Sequence, residues 1–112
     1  MLKLPNPCYA VIFTSQRRPG DEGYAAAAER MAELVKQQPG FIDVRSVRGA
    51  DGLGITVSYW ASLEAITAWR AQAEHAATRE RGRAHWYAHY ELQVVKVERA
   101  YDWQSEAAGT GS

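Results

Sequence analysis

The chain has 112 residues and is short of three things that would each have narrowed its function. Cysteine occurs once, at Cys8, so an internal disulfide framework is excluded and no thiolate metal cluster can form. Cys8 reads as an inert thiol at a strand edge, in a reducing compartment. Charge of one sign is not in excess: thirteen Lys and Arg balance thirteen Asp and Glu. That balance gives no electrostatic reason to expect nucleic acid or an anionic membrane as partner. No apolar run approaches the roughly 18 residues of a membrane span, and MLKLPNP has no apolar core for a secretory signal. A cytoplasmic protein whose ligand is a small molecule or another protein is the expectation.

What is present is periodicity. CYAVIFTSQ, residues 8 to 16, is rich in β-branched and aromatic residues and reads as a strand that RRPGD then breaks. From Asp21, an N-cap, the apolar positions Tyr24, Ala27, Ala28, Met31, Leu34 and Val35 recur at helical spacing until Pro39-Gly40. FIDVRSV and LGITVSYW flank the turn-rich RGADG and predict a hairpin. Ser62 caps a second helix, with Leu63, Ile66, Trp69, Ala73, Ala76 and Ala77 on one side, that runs to about Gly82. The aromatic segment RAHWYAHY leads into a last strand, ELQVVKVERAY. One domain over residues 1 to 104 is expected, and the tail SEAAGTGS, residues 105 to 112, holds too little apolar surface to pack.

The order strand, helix, strand, strand, helix, strand is that of the ferredoxin-like α+β fold, with two helices on one face of a four-stranded antiparallel sheet. The other face should then be polar. It is not: Val95 and Val97 oppose Leu92 and Val94 in the last strand, and Leu53, Ile55, Val57 and Tyr59 form one side of the third. With no chain left to cover that face, a second copy is the economical occupant, which predicts a two-fold homodimer through the sheet.

The stretches QQPGFIDVRS and GITVSYWASLEAITAW, with the order PGF, strand, W, S-x-E-A, W over residues 39 to 69, resemble the antibiotic biosynthesis monooxygenase family, small domains that form dimeric α+β barrels. The resemblance implies a pocket between sheet and helices, one per subunit. Some members oxidise aromatic anthrones or quinols with O2, using neither metal nor flavin. By that resemblance no cofactor is expected and the substrate is a small aromatic phenol, quinol or anthrone. Trp60 matches the tryptophan that ends the third strand in the anthrone-oxidising relatives. Thr56 and Ile66 stand where those relatives have asparagine and tyrosine. Trp69 matches a tryptophan of the haem-degrading branch, but Arg79 stands near the place of that branch's histidine and strand one has no asparagine.

Candidate site residues follow from chemistry and position. His75 is the obvious base, since an imidazole accepts a proton near neutral pH. On a straight helix, however, it lies nine residues after Ile66, on the side away from the core stripe, and only a bend or the dimer brings it inward. Trp69 lies on the stripe, as a core filler or a platform for a flat ring. Thr56 and Ser58 share Trp60's side of the third strand and offer two hydroxyls beside an indole. Arg83 is either an anchor for an acidic or phenolate oxygen or half of a surface salt bridge. Trp86 and Tyr87, within GRAHWYAHYE, suit an aromatic ligand or a dimer contact equally. His85 and His89 have the spacing of a helical metal pair, but no third ligand is placed, so no metal site is expected. Three readings remain open: a cofactor-independent monooxygenase with His75 and Arg83 as catalytic groups, a non-catalytic dimeric binding protein, and a haem-binding or haem-degrading protein.

Overall fold

The computed structural model describes residues 4 to 106. Strand β1 (Tyr9–Arg17), helix α1 (Tyr24–Val35), strands β2 (Phe41–Arg48) and β3 (Leu53–Trp60), helices α2 (Leu63–Ala71) and α3 (Ala73–Arg81), a π-helical turn (Gly82–Trp86) and strand β4 (Tyr87–Lys96) follow in that order. The four strands form one antiparallel sheet in the order β2-β3-β1-β4. This is the ferredoxin-like α+β arrangement that the periodicity predicts. The tail expected from residue 105 lies, beyond residue 106, outside the described residues.

The caps explain where the helices start. The N-cap of α1 is Gly23 rather than Asp21, its left-handed φ of 86° turning the chain into the helix, and the Asp21 carboxylate assists from two residues back by accepting the N–H groups of Gly23, at 2.8 Å, and Ala25, at 3.0 Å. At the other end Gly40, with φ 82°, brings the turn so close to α2 that a Cβ there would meet that of Ala65 at 2.6 Å. Ser62 caps α2 as predicted, its hydroxyl accepting from Ala65 N–H at 3.1 Å.

Two boundaries differ from expectation. The second helix is not continuous: Gln72, at φ −59° and ψ 128°, leaves the helical region and separates α2 from α3. The last strand begins at Tyr87 rather than Glu91 because Tyr87, His89 and Tyr90 find partners in Arg17, Gln16 and Ser15 of β1. It ends at Lys96 because β1 offers nothing before Tyr9; the last link is Val97 N–H to Cys8 O, at 3.0 Å.

Register fixes the faces. Tyr9, Val11, Phe13 and Ser15 of β1 pair with Trp60, Ser58, Thr56 and Gly54 of β3, so all eight share a face. Trp60 stacks with Trp69 of α2, which identifies that face as the helix side. The buried apolar core is small among the described residues: Cys8, Ala10, Ala27, Leu34, Val35, Trp60 and Trp86. On the opposite face Val47, Leu53, Ile55 and Val95 keep 71, 48, 42 and 39% of their surface exposed, so the chain by itself leaves that apolar face uncovered. Among the described residues no helix is long and apolar enough to cross a membrane.

Candidate functional site

Two aromatic groups occupy the two ends of the helix-side face, and β1 and β3 supply the floor between them. The first is built on Trp60, which is completely buried. Phe41 meets its ring edge-on, with centroids 5.5 Å apart, and Trp69 lies over it at 6.4 Å with 29° between planes. Its indole N–H donates to Ser58 Oγ at 2.9 Å. The indole N–H expected to meet a ligand is therefore already taken up by the Ser58 hydroxyl. Thr56 is likewise engaged, its hydroxyl 2.7 Å from that of Ser46 on β2.

The break at Gln72 brings His75 to this group. Its imidazole lies flat on Trp69, with centroids 4.0 Å apart and 11° between planes. Nδ1 is 2.9 Å from the carbonyl oxygen of Trp69. A carbonyl only accepts, so Nδ1 carries the proton and the lone pair of the neutral ring sits on Nε2. Burial pushes the imidazole below its ordinary value; the Trp69 carbonyl opposes this, and the charges of Arg79 and Arg70 add to it. One turn further on, Arg79 donates from Nη1 to Arg70 O at 3.1 Å, while its Nε is the one buried side-chain nitrogen among the described residues without a partner.

At the other end Trp86 is buried at 2% exposure and its indole N–H donates to Glu22 O at 3.0 Å, which ties the π-helical turn to the start of α1. Tyr87 is half-buried among Phe13, Tyr24 and Tyr90, with centroids at 5.5, 6.0 and 6.1 Å. Burial, and secondarily the neighbouring Tyr24, push its hydroxyl far above the usual tyrosine range, so it is a neutral donor at any physiological pH. Arg83 is exposed, with Nε donating to Tyr90 OH at 2.6 Å and Nη1 to Glu80 Oε1 at 3.0 Å. Of the two predicted catalytic groups, only His75 is therefore joined to the tryptophan pair. Arg83 belongs to the rim of the opposite aromatic group, and the structure does not bring the two together.

Sequence reasoning missed two groups. Gln72 gives a weak signal, since glutamine is not a favoured N-cap, yet its Oε1 accepts the His75 N–H at 2.7 Å. Arg48, on β2, lies flat over Gly54 of β3 and donates from Nη2 to Ser15 Oγ at 2.8 Å and from Nη1 to Ser15 O at 3.2 Å. A glycine inside a strand pattern was the available clue to such a close approach. A separate groove of about 360 Å³ opens between α1 and α3 along Ala26, Met31, Ala77 and Arg81, and none of the predicted site residues lines it. Among the described residues no three His, Cys, Asp or Glu gather as they would around a metal ion.

Comparison with known proteins places this arrangement. Residues 8 to 81 match the sequence model described as antibiotic biosynthesis monooxygenase. The chain is 55% identical to the uncharacterized protein YqjZ of Bacillus subtilis (strain 168) over 93 residues, 83% of this chain and 82% of that one. Its fold is similar to that of SnoaB, a cofactor-independent oxygenase of Streptomyces nogalater, with a TM-score of 0.72 and 16% identity over 84% of this chain and 96% of that one. Rv0793 of Mycobacterium tuberculosis is similar in the same way, with a TM-score of 0.70 and 17% identity over 88% and 99% of the two chains. At such identities these structures speak for the fold alone. The family match covers well over half of the sequence, and the chain belongs to the antibiotic biosynthesis monooxygenase family.

Proposed function

We propose that this protein is a monooxygenase that oxidises a small aromatic phenol, quinol or anthrone with O2 and needs no bound cofactor. The observation that carries the reading is the His75 imidazole, lying on Trp69 with Nδ1 held by the Trp69 carbonyl. A base of this kind is neutral at physiological pH because burial holds its pKa down. Trp69, stacked between Trp60 and His75, backs the imidazole with an apolar aromatic wall beside which a substrate ring can lie. Arg79, one turn along α3 and with a buried N–H to spare, supplies the cation that Arg83 was expected to supply.

The chemistry asks little of the protein. His75 Nε2 takes a proton from an acidic C–H or O–H, and the electron-rich anion reduces O2 and combines with it to give a hydroperoxide. For an anthrone methylene, loss of water from that hydroperoxide leaves a carbonyl, so CH2 and O2 become C=O and H2O with all electrons drawn from the substrate. The residues hold the ring, stabilise the anion and exclude water. Two copies joined through the exposed Val47, Leu53, Ile55 and Val95 face complete the assembly in this reading, since that surface is too apolar to stay solvated.

The test is oxygen uptake by chelator-treated protein against a panel of anthrones, hydroquinones and catechols. Saturable uptake above the spontaneous rate is expected for at least one class. Binding of panel members without uptake would instead favour a non-catalytic binding protein.

A further inference from the structure

We propose that Gln72 is a positioning residue: by ending α2 and capping α3 with its own side chain, it turns His75 back onto Trp69 and fixes which ring nitrogen is left free. The importance of that nitrogen rests on the reading of His75 as a base, but the positioning itself does not. In an uninterrupted helix, six positions at about 100° each would set His75 roughly 240° around the axis from Trp69 and about 9 Å along it. Rings so placed cannot lie 4.0 Å apart at 11°. One residue makes the difference. With ψ at 128°, Gln72 leaves the helical region, and both neighbours resume it.

The break also releases backbone groups, and the same residues satisfy them. Trp69 O, at the end of α2, accepts from Gln72 N–H at 3.2 Å and from His75 Nδ1 at 2.9 Å. His75 N–H, at the start of α3, has no carbonyl one turn back in helical geometry and donates to Gln72 Oε1 at 2.7 Å. Gln72 O accepts from Ala76 N–H at 2.8 Å and so starts the α3 ladder. Gln72 and His75 thus each bond to the other's helix end, and the imidazole orientation follows from the cap. The charged groups near the imidazole are Arg70 on α2 and Arg79 on α3, both of which oppose its protonation. Glu74, its neighbour in sequence, is bound to Arg30 of α1 through two bonds of 2.6 and 3.0 Å.

Nitrogen-15 NMR of the histidine side chains tests this without any substrate. In the wild-type protein His75 should titrate below 6.5 and, when neutral, carry its proton on Nδ1. Gln72→Ala removes the cap and inserts the strongest helix former. The titration midpoint should then rise toward 6.5 and the Nδ1 tautomer should lose its dominance. Gln72→Ser, whose hydroxyl reaches the same N–H, should retain both wild-type properties. An Nε2-protonated His75 in the wild type would overturn the proposal even if the alanine variant fails to fold. So would an alanine variant with unchanged titration and tautomer, or a serine variant that behaves like alanine. Expected NMR behaviour in a protein with no oxygen uptake would sink the oxygenase reading and leave the positioning role intact.

Discussion

Replacing Gly54 with alanine perturbs one atom with a consequence that the geometry allows to be worked out. A Cβ at that position would stand 2.5 Å from Arg48 Cζ and 2.8 Å from each terminal nitrogen, so the guanidinium must leave its place across β3. It then loses the bonds to Ser15 Oγ at 2.8 Å, Ser15 O at 3.2 Å and Gly52 O at 2.5 Å. Ser15 is only 1% exposed, so its hydroxyl is left without a partner inside the protein. Bonds from a charged donor contribute about 1.5–3 kcal/mol each, which sets a ceiling of about 4.5–9 kcal/mol for the three. Rehydration of the freed guanidinium and the lower chain entropy of alanine offset a large share of that. A net loss of about 2–4 kcal/mol remains, or roughly 8–16 °C in Tm for a domain of this size. Thermal and urea melts of the single variants Gly54→Ala and Arg48→Ala and of the double variant give the assay. With Arg48 already truncated, the added methyl should cost less than about 0.5 kcal/mol. A full cost in both backgrounds would refute the assignment of the strain to Arg48.

Other perturbations test other parts of the account. Because the folded pKa of His75 lies below its unfolded value of 6.5, the unfolded chain binds more protons as the pH falls, and stability is lost from about pH 6.5 downward until the folded pKa is passed. His75→Gln should flatten that part of a urea-denaturation profile measured against pH. The proposed dimer predicts that the wild-type protein scatters light as a dimer and Ile55→Glu, on the uncovered sheet face, as a monomer; a monomeric wild type would refute the dimer, and a dimeric variant would place the contact elsewhere. Trp69→Phe should keep a flat surface and most of the turnover, whereas Trp69→Ala should lose at least tenfold in kcat/KM together with the low titration of His75.

The sheet was legible in the sequence because its signals are local and redundant. β-branched runs, the RGADG turn and Pro39-Gly40 each point to the same arrangement, and the side-chain alternation places Thr56, Ser58 and Trp60 correctly on one face. The break at Gln72 was not legible, since an apolar stripe from Leu63 to Ala77 reads as one helix and glutamine does not announce a cap. That single ψ angle decides whether His75 faces away from Trp69 or lies on it. The β4 boundary was missed for a related reason: Tyr87, His89 and Tyr90 suit a strand, a turn or a ligand, and only the register with β1 chooses. For Arg83 the surface salt bridge weighed from the sequence is the alternative that forms, with Glu80 three residues back, and only its bond to Tyr90 depends on a tertiary neighbour.

The most direct test of the central claim compares His75→Ala with Arg83→Ala in the oxygen-uptake assay, at a pH well above 6.5 and with the panel substrate that the wild-type protein oxidises best. The account predicts that removing His75 abolishes uptake above the spontaneous rate, while removing Arg83, bound to Tyr90 and Glu80 at the rim, changes kcat by less than about threefold. Wild-type uptake by the His75 variant, or its loss in the Arg83 variant alone, would contradict it.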